Sequence, residues 1–204
     1  MRPLLIAAIG YLNIATLAFA QSPAPAAAEV PDEPGLYAIF DTSMGRIVTR
    51  LFEDKTPATV KNFVALASGT KAALDKNNAM VRRHYYDGLS FHRVVKGFMI
   101  QTGDVKATGS TPCGIAKLKD EIDPSLNFKE PGRLAMANTG TPNSAACQIF
   151  ITVGPADYLS GMFTIFGQVV SGQDVADKIS QVPAVKEKPF VPVTIRTVTL
   201  QRKP

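Results

Sequence analysis

The segment Phe91-His92-Arg93-Val94-Val95-Lys96-Gly97-Phe98-Met99-Ile100-Gln101 brings a guanidinium, a carboxamide and several large apolar side chains within a few residues of one another. Two short apolar runs flank Lys96-Gly97, where the chain can turn. Strand alternation places Phe91, Arg93 and Val95 on one face and His92 and Val94 on the other. Past the turn, Phe98, Met99 and Gln101 can join one surface with Arg93. Such a set could grip a partly apolar ligand and hydrogen-bond to it without any covalent step. A core strand whose arginine snorkels to solvent has the same composition. Residue types alone leave both readings open.

Little else in the chain competes for chemistry. There are two histidines, His84 and His92, and no Gly-x-Ser-x-Gly run, P-loop or dinucleotide fingerprint. His84 lies in Arg82-Arg83-His84 and reads as a solvated surface group. No carboxylate pair stands out as an acid and a base. The two cysteines, Cys113 and Cys147, lack the spacing of a redox dithiol or a zinc site, so neither a cofactor nor a metal is expected. The formal net charge is +5, but the Lys and Arg residues are scattered and form no stripe with aromatics. Nucleic acid is therefore not expected as a partner.

The elements that must position these residues follow from the chain's punctuation. Arg2, the apolar Leu4–Leu17 stretch and Ala18-Phe19-Ala20 read as a signal peptide over residues 1–20, with cleavage expected before Gln21 and an uncleaved anchor as the alternative. The stretch is short for a span, which needs about 20 residues, so no membrane contact is expected after cleavage. Residues 21–34 are a Pro/Ala-rich linker, and one domain fills 35–204. With 46% hydrophobic and 19% charged residues, the chain can bury an ordinary core.

Leu36–Asp41 and Arg46–Phe52 read as strands around a Ser43-Met44-Gly45 turn. A helix follows, with Thr56 as N-cap, Pro57 in the first turn, a Val60, Phe63, Val64, Ala67 stripe and a stop at Gly69. Residues 70–85 lack a period and read as an extended loop. Strand-like runs follow at 89–95, 98–102, 133–137, 148–153, 163–170 and 191–200, with a second helix over Gln173–Ser180. Roughly eight strands and two helices rule out repeated βαβ units. The expected fold is mostly β, a closed eight-stranded antiparallel β-barrel capped by two α-helices.

The segment from Phe91 to Asp104 resembles the signature of the cyclophilin family. Four further segments resemble that family in its order: Lys119-Asp120-Glu121-Ile122, Gly132–Asn138, Ala146–Thr152 and Phe166–Gly172. The resemblance spans roughly Gly35 to Leu200. It implies peptidyl-prolyl cis/trans isomerisation, with Arg93, Phe98 and Gln101 as the catalytic set. It also implies that Met99, Phe150, Leu159 and Phe163 wall the proline pocket and that Gln148 lies beside the peptide. Ala137 and Asn138 would pair with the substrate backbone, and Tyr158 would form the rim. His92 is placed next to the peptide, in a polar structural role rather than as a base.

The physics suits that assignment. Peptide rotation meets a barrier of roughly 18–20 kcal/mol. At the barrier top, resonance is lost and the prolyl nitrogen regains its lone pair. A guanidinium that bonds to it only then lowers the barrier by differential binding. No proton transfer is needed.

Tyr158 stands where the family often has Trp, Phe163 where it often has His, Lys96 where it often has Pro, and Ile149 where it often has Phe. These departures imply weakened affinity for a cyclosporin-like ligand more than lost activity. The resemblance also puts the segments of Cys113 and Cys147 beside one secondary pocket, which implies a disulfide between them. The expected partners are proline-containing polypeptides met as a monomer in the periplasm, with secretion as the alternative. A module that binds proline segments as a chaperone, with little turnover, is the competing reading. A barrel that carries a small apolar ligand is weaker, because the family's barrel interior is filled with side chains.

Overall fold

The computed structural model describes residues 28–204; the signal peptide assigned to 1–20 and the linker up to residue 27 lie outside them. The last linker residues lie against the domain. Tyr37 donates to the Glu33 carbonyl, Arg50 to the Pro34 carbonyl and Lys203 to the Asp32 carboxylate.

The chain opens with a hairpin of β1 (Gly35–Thr42) and β2 (Gly45–Leu51), followed by α1 (Pro57–Ala67). Next come β3 (Ala72–Leu74), β4 (Met80–Arg82), β5 (Arg93–Val95) and β6 (Met99–Thr102). β7 (Arg133–Met136) and β8 (Ile149–Thr152) lead to a 3-10 turn at Asp157–Leu159 and to β9 (Ile165–Ser171). α2 (Gln173–Ser180), β10 (Ala184–Val185), β11 (Lys188–Pro189) and β12 (Ile195–Lys203) complete it.

Eight strands form one antiparallel sheet in the order β12-β1-β2-β9-β7-β8-β6-β5. The expected closed barrel is corrected here: the sheet is a curled half-barrel, and its edges β5 and β12 do not pair. Isolated backbone bonds cross the gap, from Gly88 to Ile195, Phe91 to Val193 and Ile195 to Leu89. Outside the named strands only the single bridge Ser90–Thr194 is seen among the described residues. The loop expected over 70–85 instead contains the β3–β4 hairpin. Asp75 holds its turn by accepting from the N–H groups of Asn77 and Ala79. Strands of three residues leave little periodicity to read.

The concave face is filled by a core in which Phe63 of α1 packs against Phe40, Tyr86 and Phe166, with ring centroids 6.1, 5.2 and 5.3 Å away. Thr56 occupies the N-cap position but does not cap the helix; its hydroxyl donates to the Phe52 carbonyl. The carboxylate of Glu121 does so instead, accepting from Ala58 N at 3.1 Å and Thr59 N at 2.7 Å. A negative group there also suits the positive end of the helix dipole. Cys113 and Cys147 are joined, with their Cα atoms 6.5 Å apart and a separation of 34 positions in sequence. Closing a loop of that size removes about 3–4 kcal/mol of unfolded-state freedom in the chain-entropy account.

Candidate active site

The strand register decides which side chains share a face. Arg93 of β5 lies opposite Gln101 of β6, Gln101 opposite Phe150 of β8, and Phe150 opposite Ala135 of β7. Residues directly opposite in antiparallel strands project to the same side at about 5 Å spacing. The neighbouring row, Val94, Ile100, Ile151 and Leu134, projects to the other side, into the main core. The sheet thus carries a cation, an amide and an aromatic wall in line on the face turned away from the core. Phe91 is a correction: the strand begins only at Arg93, and Phe91 is buried in the main core rather than beside Arg93.

A second apolar cluster stands on this face. Met99, Phe150 and Leu159 are buried in it, with Phe98, Ala137 and Phe163 packed at its edge. The Phe150 ring stacks on Phe128 at 5.8 Å and takes the edge of Phe163 at 5.6 Å. Tyr158 is 69% exposed at the rim, 6.0 Å from the Phe98 ring. Nothing in the sequence assigned Phe128 or Ala135 a role; both occupy unremarkable apolar positions.

The polar side is one chain of hydrogen bonds. Arg93 Nη1 donates to Gln101 Oε1 at 3.4 Å, Gln101 Nε2 to Gln148 Oε1 at 2.8 Å, and Gln148 Nε2 to the Gly109 carbonyl at 3.1 Å. Arg93 Nη2 has no partner among the described residues. Ala137 spends its N–H on the Gln148 carbonyl, so it is not free for a peptide. The Asn138 amide donates to the Met162 carbonyl and its Oδ1 accepts from Gly140, which fixes the chain at the rim. A cavity of about 390 Å³ opens on the Gln101 and Gln148 side, lined among others by Thr111, Ala137 and the joined Cys113 and Cys147. Gly103 has to be glycine for this packing. It has φ +93°, and a Cβ there would lie 2.5 Å from the Cys147 carbonyl, just before Gln148.

His92 is 6% exposed and lies under Gly109, and neither ring nitrogen has a hydrogen-bond partner among the described residues. Burial, the largest influence, pushes its pKa below the ordinary value, while Asp104 pulls it the other way. It supports the loop from behind. Asp104 is the residue the sequence reading passed over, although it lies in the quoted signature segment. Its carboxylate accepts from the N–H groups of Lys106, Thr108, Gly109 and Thr111 and from the Thr108 hydroxyl, and so holds the loop that carries Gly109. Burial pushes its pKa up, but the hydrogen bonds from Thr111, Lys106 and Thr108 outweigh this and bring it down to about 2.

That shift fixes a pH dependence. The folded pKa, about 2, lies below the ordinary carboxylate value of 3.8, so the stabilisation is complete above about pH 4 and is lost as pH falls through 2. The stability difference between wild type and Asp104→Asn is expected to shrink as urea titrations move from pH 5 to pH 2. A difference that stays constant would rule out this anchoring role for the ionised carboxylate.

Residues 37–200 match the sequence model of the cyclophilin type peptidyl-prolyl cis-trans isomerase/CLD family. A peptidyl-prolyl cis-trans isomerase B from Streptomyces anulatus is 39% identical over 173 residues, covering 82% of this chain and 98% of that protein. A peptidyl-prolyl cis-trans isomerase A from Mycobacterium tuberculosis is 42% identical over 167 residues, covering 80% of this chain and 91% of that protein. A cyclophilin type peptidyl-prolyl cis-trans isomerase from Cryptosporidium parvum has a similar structure, with a TM-score of 0.71 and 29% identity over 82% of this chain and 98% of that one. The same Cryptosporidium protein solved in the presence of the dipeptide Ala-Pro gives a TM-score of 0.70.

Proposed function

The chain belongs to the cyclophilin-type peptidyl-prolyl cis-trans isomerase family and is an isomerase, and we propose that it speeds X-Pro rotation through Arg93 poised above a proline pocket. The observation that supports this reading is the cross-strand row Arg93–Gln101–Phe150–Ala135, which aligns donor, relay and apolar wall on one face. Phe98, Met99, Phe150, Leu159 and Phe163 hold the proline ring, with Tyr158 closing the rim. Gln101 holds the guanidinium through Nη1, and Gln148 steadies Gln101. Nη2 is left to donate to the prolyl nitrogen as the amide twists. The apolar surround excludes water and strengthens that contact where it develops.

Nothing in this sequence of events moves a proton between catalyst and substrate. The kcat/KM for an Ala-Pro peptide is therefore expected to stay flat between pH 6 and 9 and to show a solvent isotope ratio of about one. A bell-shaped profile with a large isotope effect would contradict the scheme.

The clients we propose are proline-containing segments of exported proteins, met in the periplasm. Arg2, the Leu4–Leu17 stretch and Ala18-Phe19-Ala20 support export, and the Cys113–Cys147 bridge suits an oxidising compartment. The mature protein recovered from the cell envelope is expected to begin at Gln21. A chain recovered there with its first twenty residues intact would contradict cleavage.

A further inference from the structure

Glu187 reaches the same guanidinium from 94 residues further along the chain, its Oε2 accepting from Arg93 Nε at 2.5 Å. Its backbone is fastened to the same strand, because the Val94 N–H donates to the Glu187 carbonyl at 2.7 Å. The residue is delivered by the turn between β10 and β11, where Lys186 and Glu187 have φ of 48° and 66°. Two consecutive positive φ values make the type I′ turn that favours Asn-Gly, and both side chains here are strained by it. A glycine at 187 would relax the hairpin, so folding alone does not call for a glutamate there. Strain held beside a reactive group points to function.

We infer that Glu187 is a positioning residue for Arg93. It rests on the reading of Arg93 given above. With Nε held by Glu187 and Nη1 by Gln101, the plane of the guanidinium is set at two of its three nitrogens, and Nη2 is left for the substrate. The carboxylate also opposes the positive charge that Arg93 presents. The two side chains are 41% and 47% exposed, so water screens that opposition and the orienting effect prevails.

The test compares wild type, Glu187→Gly, Glu187→Gln and Arg93→Ala in the full chain, by peptide isomerisation, thermal melting and the NMR signal of the Arg93 Nε–H. Glu187→Gly is expected to melt at a higher temperature yet lose about three- to fivefold in kcat with KM little changed. Its Nε–H signal is expected to broaden. Glu187→Gln, whose amide oxygen can accept from Nε, is expected to restore most of the activity and a sharp signal. The inference is overturned by a Gly variant with unchanged kcat, by a Gln variant no better than the Gly variant, or by a Gln variant faster than wild type. If Arg93→Ala is fully active, the reading of Arg93 has failed and Glu187 goes with it. If Arg93→Ala is impaired and Glu187→Gly is not, only the role of Glu187 is lost.

Discussion

Arg93→Ala is expected to lower kcat/KM on an Ala-Pro peptide at least tenfold, a barrier increase of about 1.4 kcal/mol or more. The loss should fall on kcat, because in the proposed scheme the Arg93 bond to the prolyl nitrogen forms only as the amide twists. Binding should persist, since Phe98, Met99, Phe150 and Leu159 remain in place in their own cluster. Stability should change little, because the Arg93 side chain is 41% exposed and its ion pair with Glu187 is half in water. Lysine is not a substitute. A single ammonium on a flexible stem cannot bond to Glu187 and Gln101 and still present a directed donor. Arg93→Lys is accordingly expected to lie closer to the alanine variant than to wild type. Coupled peptide assays and a melting curve for each variant check all of this; a tenfold loss accompanied by a collapse in stability would point to misfolding instead.

Phe150→Ala is expected to cost about 3–5 kcal/mol of folding stability, as for other buried Phe→Ala changes. The ring is 5% exposed and sits between Phe128 and Phe163, in a central strand that pairs with both β6 and β7. Its removal leaves a hole against Met99 and Ala135 that neighbours in rigid strands cannot fill. The same hole lies where the proposed scheme holds the proline ring, so KM should rise steeply in protein that is still folded. Phe150→Leu keeps most of the volume and should recover most of the stability but only part of the affinity. Urea titrations and peptide binding at low temperature separate the two effects. Unchanged peptide affinity in folded Phe150→Ala would remove Phe150 from the pocket.

The sequence carried the pieces of this site better than their arrangement. Alternation put Arg93 and Val95 on one face, and both do face the second cluster or its edge. It misled at Phe91, because the strand is only three residues long and the chain before it follows loop geometry. α2 is bounded as its Val175 and Ile179 spacing implies, since an amphipathic turn with both residues buried announces itself locally. Closure of the barrel was not legible, because it depends on whether Leu89–Phe91 and Val193–Ile195 find a continuous register, a long-range match that reduces here to the single bridge Ser90–Thr194. Glu121 as helix cap and Glu187 as arginine partner were invisible for a common reason. Each acts on a residue more than 60 positions away, and no local pattern reveals either role. Glu187 even sits in a turn where residue preferences favour glycine.

The most direct test is NMR magnetisation exchange between the cis and trans forms of an Ala-Pro peptide at saturating concentration, with wild type and Arg93→Ala compared. The scheme predicts rapid exchange on wild type, and exchange at least tenfold slower on Arg93→Ala while the peptide still binds. Exchange on Arg93→Ala as fast as on wild type would contradict it.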